Sequence, residues 1–122
     1  MVTIRLSGLT VYPIKSAAGI GLSQAEVTLR GLLHDRRWMV CDRTGKFLTQ
    51  RQLPKMALIQ VTMADGLRLS IGRGDTALEL PAVPQTDPVD VTVWGDTCTA
   101  WSMGSEVAQW LSDFLGLEAQ LV

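Results

Sequence analysis

This sequence has little of the chemistry that builds metal sites and disulfides, with two cysteines and one histidine among its 122 residues. Cys41 and Cys98 stand far apart and belong to no Cys-x-x-Cys or Cys/His spacing of the kind used by zinc sites. Both lie in apolar, strand-like runs, which predicts two buried, reduced thiols. His34 belongs to no Ser/His/Asp or Cys/His arrangement. The sequence therefore predicts neither a protein-built metal site nor a catalytic residue.

A charge excess and a long hydrophobic run are also missing. Eleven Lys and Arg residues accompany twelve Asp and Glu residues, for a net charge of −1, so no basic field attracts nucleic acid or anionic lipid. No apolar run approaches the roughly 20 residues of a membrane span, and no secretory signal pattern opens the chain. We therefore expect a cytoplasmic protein with no nucleic-acid or membrane partner.

The four tryptophans also argue against a nucleic-acid partner. They lack the interleaved basic residues of a nucleic-acid surface, and they lie within predicted strands or the predicted helix. They are Trp38, Trp94, Trp101 and Trp110. The sequence predicts that they are core residues and that they do not form platforms on which bases stack.

The composition of the chain indicates one folded domain, because 47% of its residues are hydrophobic and 19% are charged. Short β-branched runs separated by Gly, Pro and Asp turns predict a mainly β fold. The predicted strands cover 2–12, 25–29, 37–42, 46–49, 56–64, 67–71, 77–80, 89–94 and 97–101, with turns at 43–45, 65–66, 72–75 and 95–96. Residues 117–122 are predicted to form either a last short strand or the beginning of a linker. Together with one terminal helix the strands predict an antiparallel β-barrel or a strongly curved sheet.

The helix is predicted at about 105–115. Ser105 is a good N-cap residue, Glu106 suits the positive end of the helix dipole, and Gly116 occupies the expected C′ position. Apolar residues recur between them at i, i+3, i+4, i+7 and i+8, namely Val107, Trp110, Leu111, Phe114 and Leu115. Such a stripe is typical of a helix packed on a core.

A candidate anion site follows Pro13, which cannot donate a backbone hydrogen bond and favours an extended Tyr12. We expect the first strand to close there, with Lys15 and Ser16 leaving the sheet at its end. The small residues 17–19 would leave backbone amides open to a ligand. An ammonium, a hydroxyl and open amides can bind an anion, although a solvated loop is the alternative interpretation.

Arginines stand at other breaks between predicted strands. The alternation after residue 37 puts Arg36 and Arg37 on opposite faces, so one of them is expected to point inward, and Arg51 lies at a later break. A guanidinium suits a phosphate bidentately, although each arginine can equally be an ordinary surface cation. Asp35 can orient Arg36 or simply pair with it.

Three motifs in order resemble the N-terminal β-barrel domain of MOSC proteins, the family that includes the mitochondrial amidoxime-reducing components and bacterial relatives. The motifs are Leu-Thr-Val-Tyr-Pro-Ile-Lys-Ser at 9–16, Gly-Leu-Leu-His-Asp-Arg-Arg-Trp-Met-Val at 31–40, and Phe-Leu-Thr-Gln-Arg at 47–51 followed by Pro54. The segments 93–96 and 104–112 also resemble the end of that domain. The resemblance covers residues 1–122 as a single domain, without a catalytic MOSC domain, and we expect either the first part of a longer protein or a natural single-domain relative.

The resemblance implies that such a domain and a MOSC catalytic domain, in cis or in trans, hold molybdenum cofactor (molybdopterin) between them. By motif position, Lys15, Ser16 and Arg36 would contact the pterin and phosphate, and Arg51 would lie in or near the same cleft. The family's molybdenum-ligating cysteine lies in the second domain, and Ala17 stands where many relatives have a cysteine. This chain alone is therefore not expected to be catalytic.

The implied function is the non-catalytic half of a molybdenum-cofactor oxidoreductase. It would bind the pterin and phosphate end of the cofactor and line the substrate cleft, and the full protein would reduce N-hydroxylated compounds. The alternative is a stand-alone binding or carrier module without enzymatic activity.

Overall fold

The structure, a computed structural model, describes residues 1–64, 68–72, 77–81, 84 and 88–122. This part of the chain contains twelve short strands, one α-helix and one 3₁₀ helix at Pro54–Leu58. The strands are β1 (Leu9–Val11), β2 (Ile14–Lys15), β3 (Ile20–Leu22), β4 (Val27–Thr28), β5 (Gly31–Leu32), β6 (Trp38–Asp42), β7 (Gln60–Ala64), β8 (Arg68–Gly72), β9 (Leu78–Glu79), β10 (Pro88–Val93), β11 (Asp96–Trp101) and β12 (Ala119–Leu121), and the helix is α1 (Ser105–Leu115). The predicted mainly β fold with one late helix is confirmed.

Within the described residues, the strands pair as five small sheets. Their strand orders are β1-β3, β10-β11, β12-β6-β2, β4-β5 and β7-β8-β9. Single bridges add the pairs Cys41–Phe47 and Lys46–Thr92. The strands pair antiparallel except for β2 with β6, where Ile14 lies opposite Trp38 and Lys15 opposite Met39. This arrangement is compatible with a strongly curved sheet. The turns predicted at 65–66 and 73–75 lie outside the described residues.

The first predicted strand is much shorter than expected. Residues 1–8 form no strand, and the side chains of Val2, Ile4 and Leu6 are exposed. Alternation of side chains is not sufficient for a strand, because the backbone also needs a partner to hydrogen-bond.

The sheet also does not end at Pro13. The Pro13 carbonyl accepts hydrogen bonds from the N–H groups of Arg37 and Trp38, both at 3.0 Å. These bonds hold the chain beside β6, so that β2 follows directly and Lys15 lies within a strand. The expectation that Lys15 leaves the sheet is wrong for this reason.

The strand predicted at 56–64 begins later than expected. Pro54 opens the 3₁₀ helix, since a proline suits the first helical turn. Met56 within this helix and Ile59 directly after it are fully buried, and β7 starts at Gln60. The strand predicted at 25–29 is likewise reduced to β4.

The hydrophobic core lies between α1 and the sheet of β12, β6 and β2. The helix buries Val107, Leu111 and Leu115, which confirms the predicted stripe. Gly116 ends the helix in the left-handed region, with φ of 78°, as predicted. The N-cap is Gly104, one residue before the predicted Ser105, and it makes no side-chain capping bond.

The hairpin of β10 and β11 corrects two predictions of burial. Trp94 and Trp101 are 66% and 50% exposed and are not core residues. Cys98 is exposed, although Cys41 is buried as predicted. The reason is that β11 pairs with β10 in a two-stranded sheet and exposes most of its side chains to solvent. An apolar pattern identifies a face but does not show that another element covers it.

Candidate functional site

The four residues proposed from the sequence line one open cavity of about 440 Å³. Lys15, Ser16 and Arg36 come from the first two motifs and Arg51 from the third. The rest of the wall includes Tyr12, Gln50 and Trp94. The fold therefore gathers three cations and one hydroxyl from three separate segments of a chain whose net charge is −1.

Lys15 lies against aromatic rings at the end of β2. Its Nζ is 4.3 Å from the centroid of the Phe47 ring and 5.2 Å from that of the Trp94 ring. Burial lowers the pKa of Lys15, and the nearby charge of Arg51 lowers it further. An anion placed between the two cations would relieve that repulsion. This is the electrostatic arrangement expected of an anion site.

Ser16 occupies a strained position beside Lys15. Its φ is 69°, in the left-handed region that non-glycine residues rarely adopt. The N–H of Ala17 donates to the carbonyl of Ile14 at 3.1 Å and closes the turn, while Gln50 Nε2 donates to the Ser16 carbonyl at 2.9 Å. The conformation of Ser16 is therefore held by bonds on both sides.

Two of the three backbone amides predicted to be open after Ser16, those of Ala17 and Ala18, already have partners. Ala17 donates within its turn, and the N–H of Ala18 donates to the carbonyl of Ile59 at 3.0 Å. The Ala17 side chain is fully buried. Binding at this cavity thus depends on side chains, since these two amides already have partners.

Arg36 is fixed by two neighbours. Its Nη1 lies 2.6 Å from Asp35 Oδ2, and its guanidinium carbon lies 4.6 Å from the centroid of the Tyr12 ring. Its backbone N–H donates to the Tyr12 carbonyl at 2.7 Å, with φ of 48°. The Arg36 side chain is 54% exposed, so it is oriented but still accessible. Asp35 both pairs with Arg36 and orients it.

The pKa of Asp35 reflects this position. Burial alone would raise it, but hydrogen bonds from the Tyr12 N–H and the Arg36 side chain, together with the Arg36 charge, lower it. These hydrogen bonds and the Arg36 charge therefore favour the ionised form of the carboxylate.

A second cavity of about 290 Å³ adjoins the first, since Lys15 and Arg36 line both. Arg37 lines the second one, beside Trp38 and the apolar side chains of β10. Arg36 lines the first cavity and Arg37 does not, but both line the second, so the two side chains are not separated onto opposite faces as expected.

Sequence reasoning missed Trp94 as a wall of the cavity. In the described part of the chain, four non-glycine residues have a positive φ, namely Ser16, His34, Arg36 and Trp94. Three of them line the cavity, and His34 occupies the turn closed by Asp35 N–H and the Leu32 carbonyl at 3.1 Å. The available signal was Trp-Gly in a two-residue turn, where Asn-Gly or Asp-Gly is usual.

The described residues contain neither a cluster of metal ligands nor a membrane-spanning helix. Among them no three side chains of His, Cys, Asp or Glu lie together as metal ligands would. No helix in the described chain is both long enough and apolar enough to cross a membrane. What the cavity can do chemically is bind and orient an anion.

Residues 3–118 match the family described as the MOSC N-terminal beta barrel domain. The chain is 35% identical to a molybdenum cofactor sulfurase of Danio rerio, over 96% of this chain and 15% of that protein. It is 37% identical to mitochondrial amidoxime-reducing component 1 of Mus musculus, over 91% of this chain and 34% of that protein. The chain thus spans at most about a third of these two relatives.

A solved structure is similar in fold. It is the solution structure of a protein of Bordetella bronchiseptica, with a TM-score of 0.60 and 18% sequence identity. The match covers 82% of this chain and 87% of that one. At this identity the likeness concerns the fold.

Proposed function

Because the chain belongs to the MOSC N-terminal beta barrel domain family, we propose that it binds the pterin and phosphate end of molybdenum cofactor. Lys15, Ser16, Arg36 and Arg51 would hold the phosphate. The chain would form one wall of a cleft, and a MOSC catalytic domain, in cis or in trans, would form the other.

The observation that carries this proposal is the convergence of these four side chains on one cavity. A phosphate is bound by several positively charged hydrogen-bond donors. An oriented guanidinium and an adjacent ammonium are donors of this kind. Asp35 holds the guanidinium, so little side-chain freedom is lost when an anion binds. The donor set therefore fits a phosphate-bearing group.

A partner domain is supported by the surface around the cavity. The second cavity presents a half-exposed apolar floor that includes Val93 and Ala100. The apolar side chains of Val2, Ile4 and Leu6 are also exposed. Apolar side chains that line an open cavity suit coverage by a second domain.

When bound, molybdenum cofactor would supply the redox chemistry of the whole protein. The residues of this chain would bind and orient it: Lys15 and Arg36 neutralise the phosphate, and Ser16 donates one hydrogen bond. The names of the relatives give two different activities, a sulfurase and an amidoxime-reducing component. Reduction of N-hydroxylated compounds is our proposal for the whole protein, because the chain's motifs resemble the second group.

A titration of backbone amide signals by NMR tests the site. The 122-residue chain is titrated with a pterin monophosphate, alongside the variant Lys15→Ala/Arg36→Ala. The control variant Arg5→Ala/Arg30→Ala removes the same charge at two exposed arginines that do not line the cavity. We expect saturable shifts around Lys15, Ser16 and Arg36 in wild type and control.

The double variant at the cavity should lose at least about tenfold in affinity, since each charged hydrogen bond contributes about 1.5–3 kcal/mol. Equal affinities in the two double variants would contradict the proposal, because the effect would then be one of net charge alone. Shifts confined to other segments would also contradict it.

A further inference from the structure

Trp94 is held in a conformation that its side chain does not favour. Val93 and Asp96 pair across the hairpin, so the loop consists of Trp94 and Gly95, with φ of 52° and 84°. Both residues thus lie in the left-handed region of a primed turn, where Asn-Gly or Asp-Gly is usual. A bulky residue there costs free energy, and such strain is concentrated at functional sites.

The indole is packed against a neighbouring ring and still remains largely exposed. It packs against Phe47 with 4.8 Å between ring centroids and a tilt of 52°, while Phe47 itself is buried. Lys15 Nζ lies close to both rings. The side chain nevertheless remains 66% exposed where it lines the cavity. A strained, anchored and exposed indole next to an anion site is a preformed surface for a flat group.

The size of the cavity also exceeds what an anion alone requires. Its volume of about 440 Å³ lies in the range of sites that hold small organic ligands, roughly 300–1,000 Å³. Lys15 and Arg36 line the cavity together with Trp94, and Lys15 Nζ lies 5.2 Å from the centroid of the Trp94 ring, so a phosphate bound at Lys15 would bring an attached ring beside the indole. The lining therefore suits a ligand with a charged end and a planar end.

We propose that Trp94 stacks on the planar heteroaromatic ring of a ligand whose phosphate is bound by Lys15 and Arg36. This inference rests on the proposed function and deepens it, because it assigns the ring end of the ligand to a residue outside the basic cluster. The site would thereby prefer a phosphate attached to a flat heterocycle over a free phosphate.

The test compares two probes, a pterin monophosphate and inorganic phosphate, on the 122-residue chain. The variants are Trp94→Ala, Trp94→Phe and Trp101→Ala, the last being a second exposed tryptophan that does not line the cavity. Affinities are measured by NMR titration. Stacking of a flat ring on an aromatic side chain predicts a loss of about tenfold for the pterin monophosphate in Trp94→Ala.

In that variant the affinity for inorganic phosphate should change by less than about twofold, since the basic residues stay in place. Trp94→Phe should restore most of the affinity for the pterin monophosphate, and Trp101→Ala should match wild type. An equal loss for both probes in Trp94→Ala overturns the proposal, because it shows a structural effect on Lys15. Equal binding of the pterin monophosphate by wild type and Trp94→Ala also overturns it.

The two proposals fail differently. If both probes bind through Lys15 and Arg36 while Trp94→Ala has no effect, the stacking inference falls and the phosphate site stands. If wild type binds neither probe, both proposals fall.

Discussion

The carboxylate of Asp35 accepts a hydrogen bond from the backbone N–H of Tyr12 at 2.8 Å, across 23 positions of the chain. The same carboxylate pairs with Arg36. Tyr12 precedes β2, which carries Lys15, and Arg36 follows the turn that carries His34. Asp35 therefore ties together the two segments that supply the first three residues of the site.

Replacing Asp35 by Ala should lower the free energy of unfolding at pH 7 by about 1–3 kcal/mol, since the Tyr12 N–H loses its partner. The folded pKa of Asp35 lies below its ordinary value of 3.8. The contribution of Asp35 to the free energy of unfolding is therefore complete above about pH 4, and it is lost as the pH falls through the folded pKa. Urea denaturation of wild type and variant at about pH 7 and about pH 2.5 should show a difference in stability that narrows in acid. A difference that is equal at both pH values would argue against this role.

Gly19 lies close to the Tyr12 ring, and a side chain there should disturb the site. A Cβ at Gly19 would lie 2.6 Å from Thr10 Cγ2 and 2.8 Å from Tyr12 Cε1, whereas one at Gly21 would meet nothing within 4 Å. Gly19→Ala should therefore cost about 1–3 kcal/mol by overpacking, while Gly21→Ala should be nearly neutral. Urea denaturation gives the stabilities, and NMR of the Tyr12 ring reports its displacement. Equal stabilities of the two variants would contradict the close approach.

Substitutions at Ser16 separate the effect of backbone strain on stability from the effect of the hydroxyl on ligand binding. At φ of 69°, glycine relieves the strain of the left-handed conformation and alanine does not. Ser16→Gly should be more stable than Ser16→Ala by about 1 kcal/mol, as measured by urea denaturation. Both variants lack the hydroxyl, so both should bind pterin monophosphate more weakly than wild type. An alanine variant as stable as the glycine variant would show that the turn is not strained.

The two thiols should differ sharply in reactivity. Cys98 is exposed, whereas burial, aided by the Asp42 charge, raises the pKa of Cys41 to about 11 despite a hydrogen bond with Gln120. A thiolate is the reactive form, so a disulfide reagent at about pH 8 should modify Cys98 quickly in the native protein and Cys41 only after unfolding. Cys98→Ser should leave no fast-reacting thiol. Modification of two thiols at one rate in the native wild type would contradict the burial of Cys41.

Local patterns predicted those parts of the protein whose physics is local. The helix could be placed at 105–115 because its apolar period and its terminal Gly116 act within a few turns. The strand 38–42 could be placed because its apolar run ends at the turn residues 43–45, and Val40 and Cys41 within it are both fully buried. The basic residues could be nominated because Lys15, Arg36 and Arg51 stand at breaks between strands and match the motifs of a family.

Other features depend on partners far along the chain. The amide of Ala18 binds the carbonyl of Ile59, and the carbonyl of Pro13 binds the amides of residues 37 and 38. Neither pairing leaves a trace in the local sequence. Trp94 could not be separated from core tryptophans, because period and composition do not show whether a neighbouring element covers a side chain.

The sequence by itself determined the mainly β class, the single helix and the identity of the basic residues that line the cavity, because these follow from periodicity, capping and motif. Only the tertiary structure decided that the three basic segments meet, that the amides of Ala17 and Ala18 are already bonded and that Trp94 forms part of the cavity wall. The physical reason is that burial and hydrogen bonding depend on which residues, distant in sequence, the fold brings into contact.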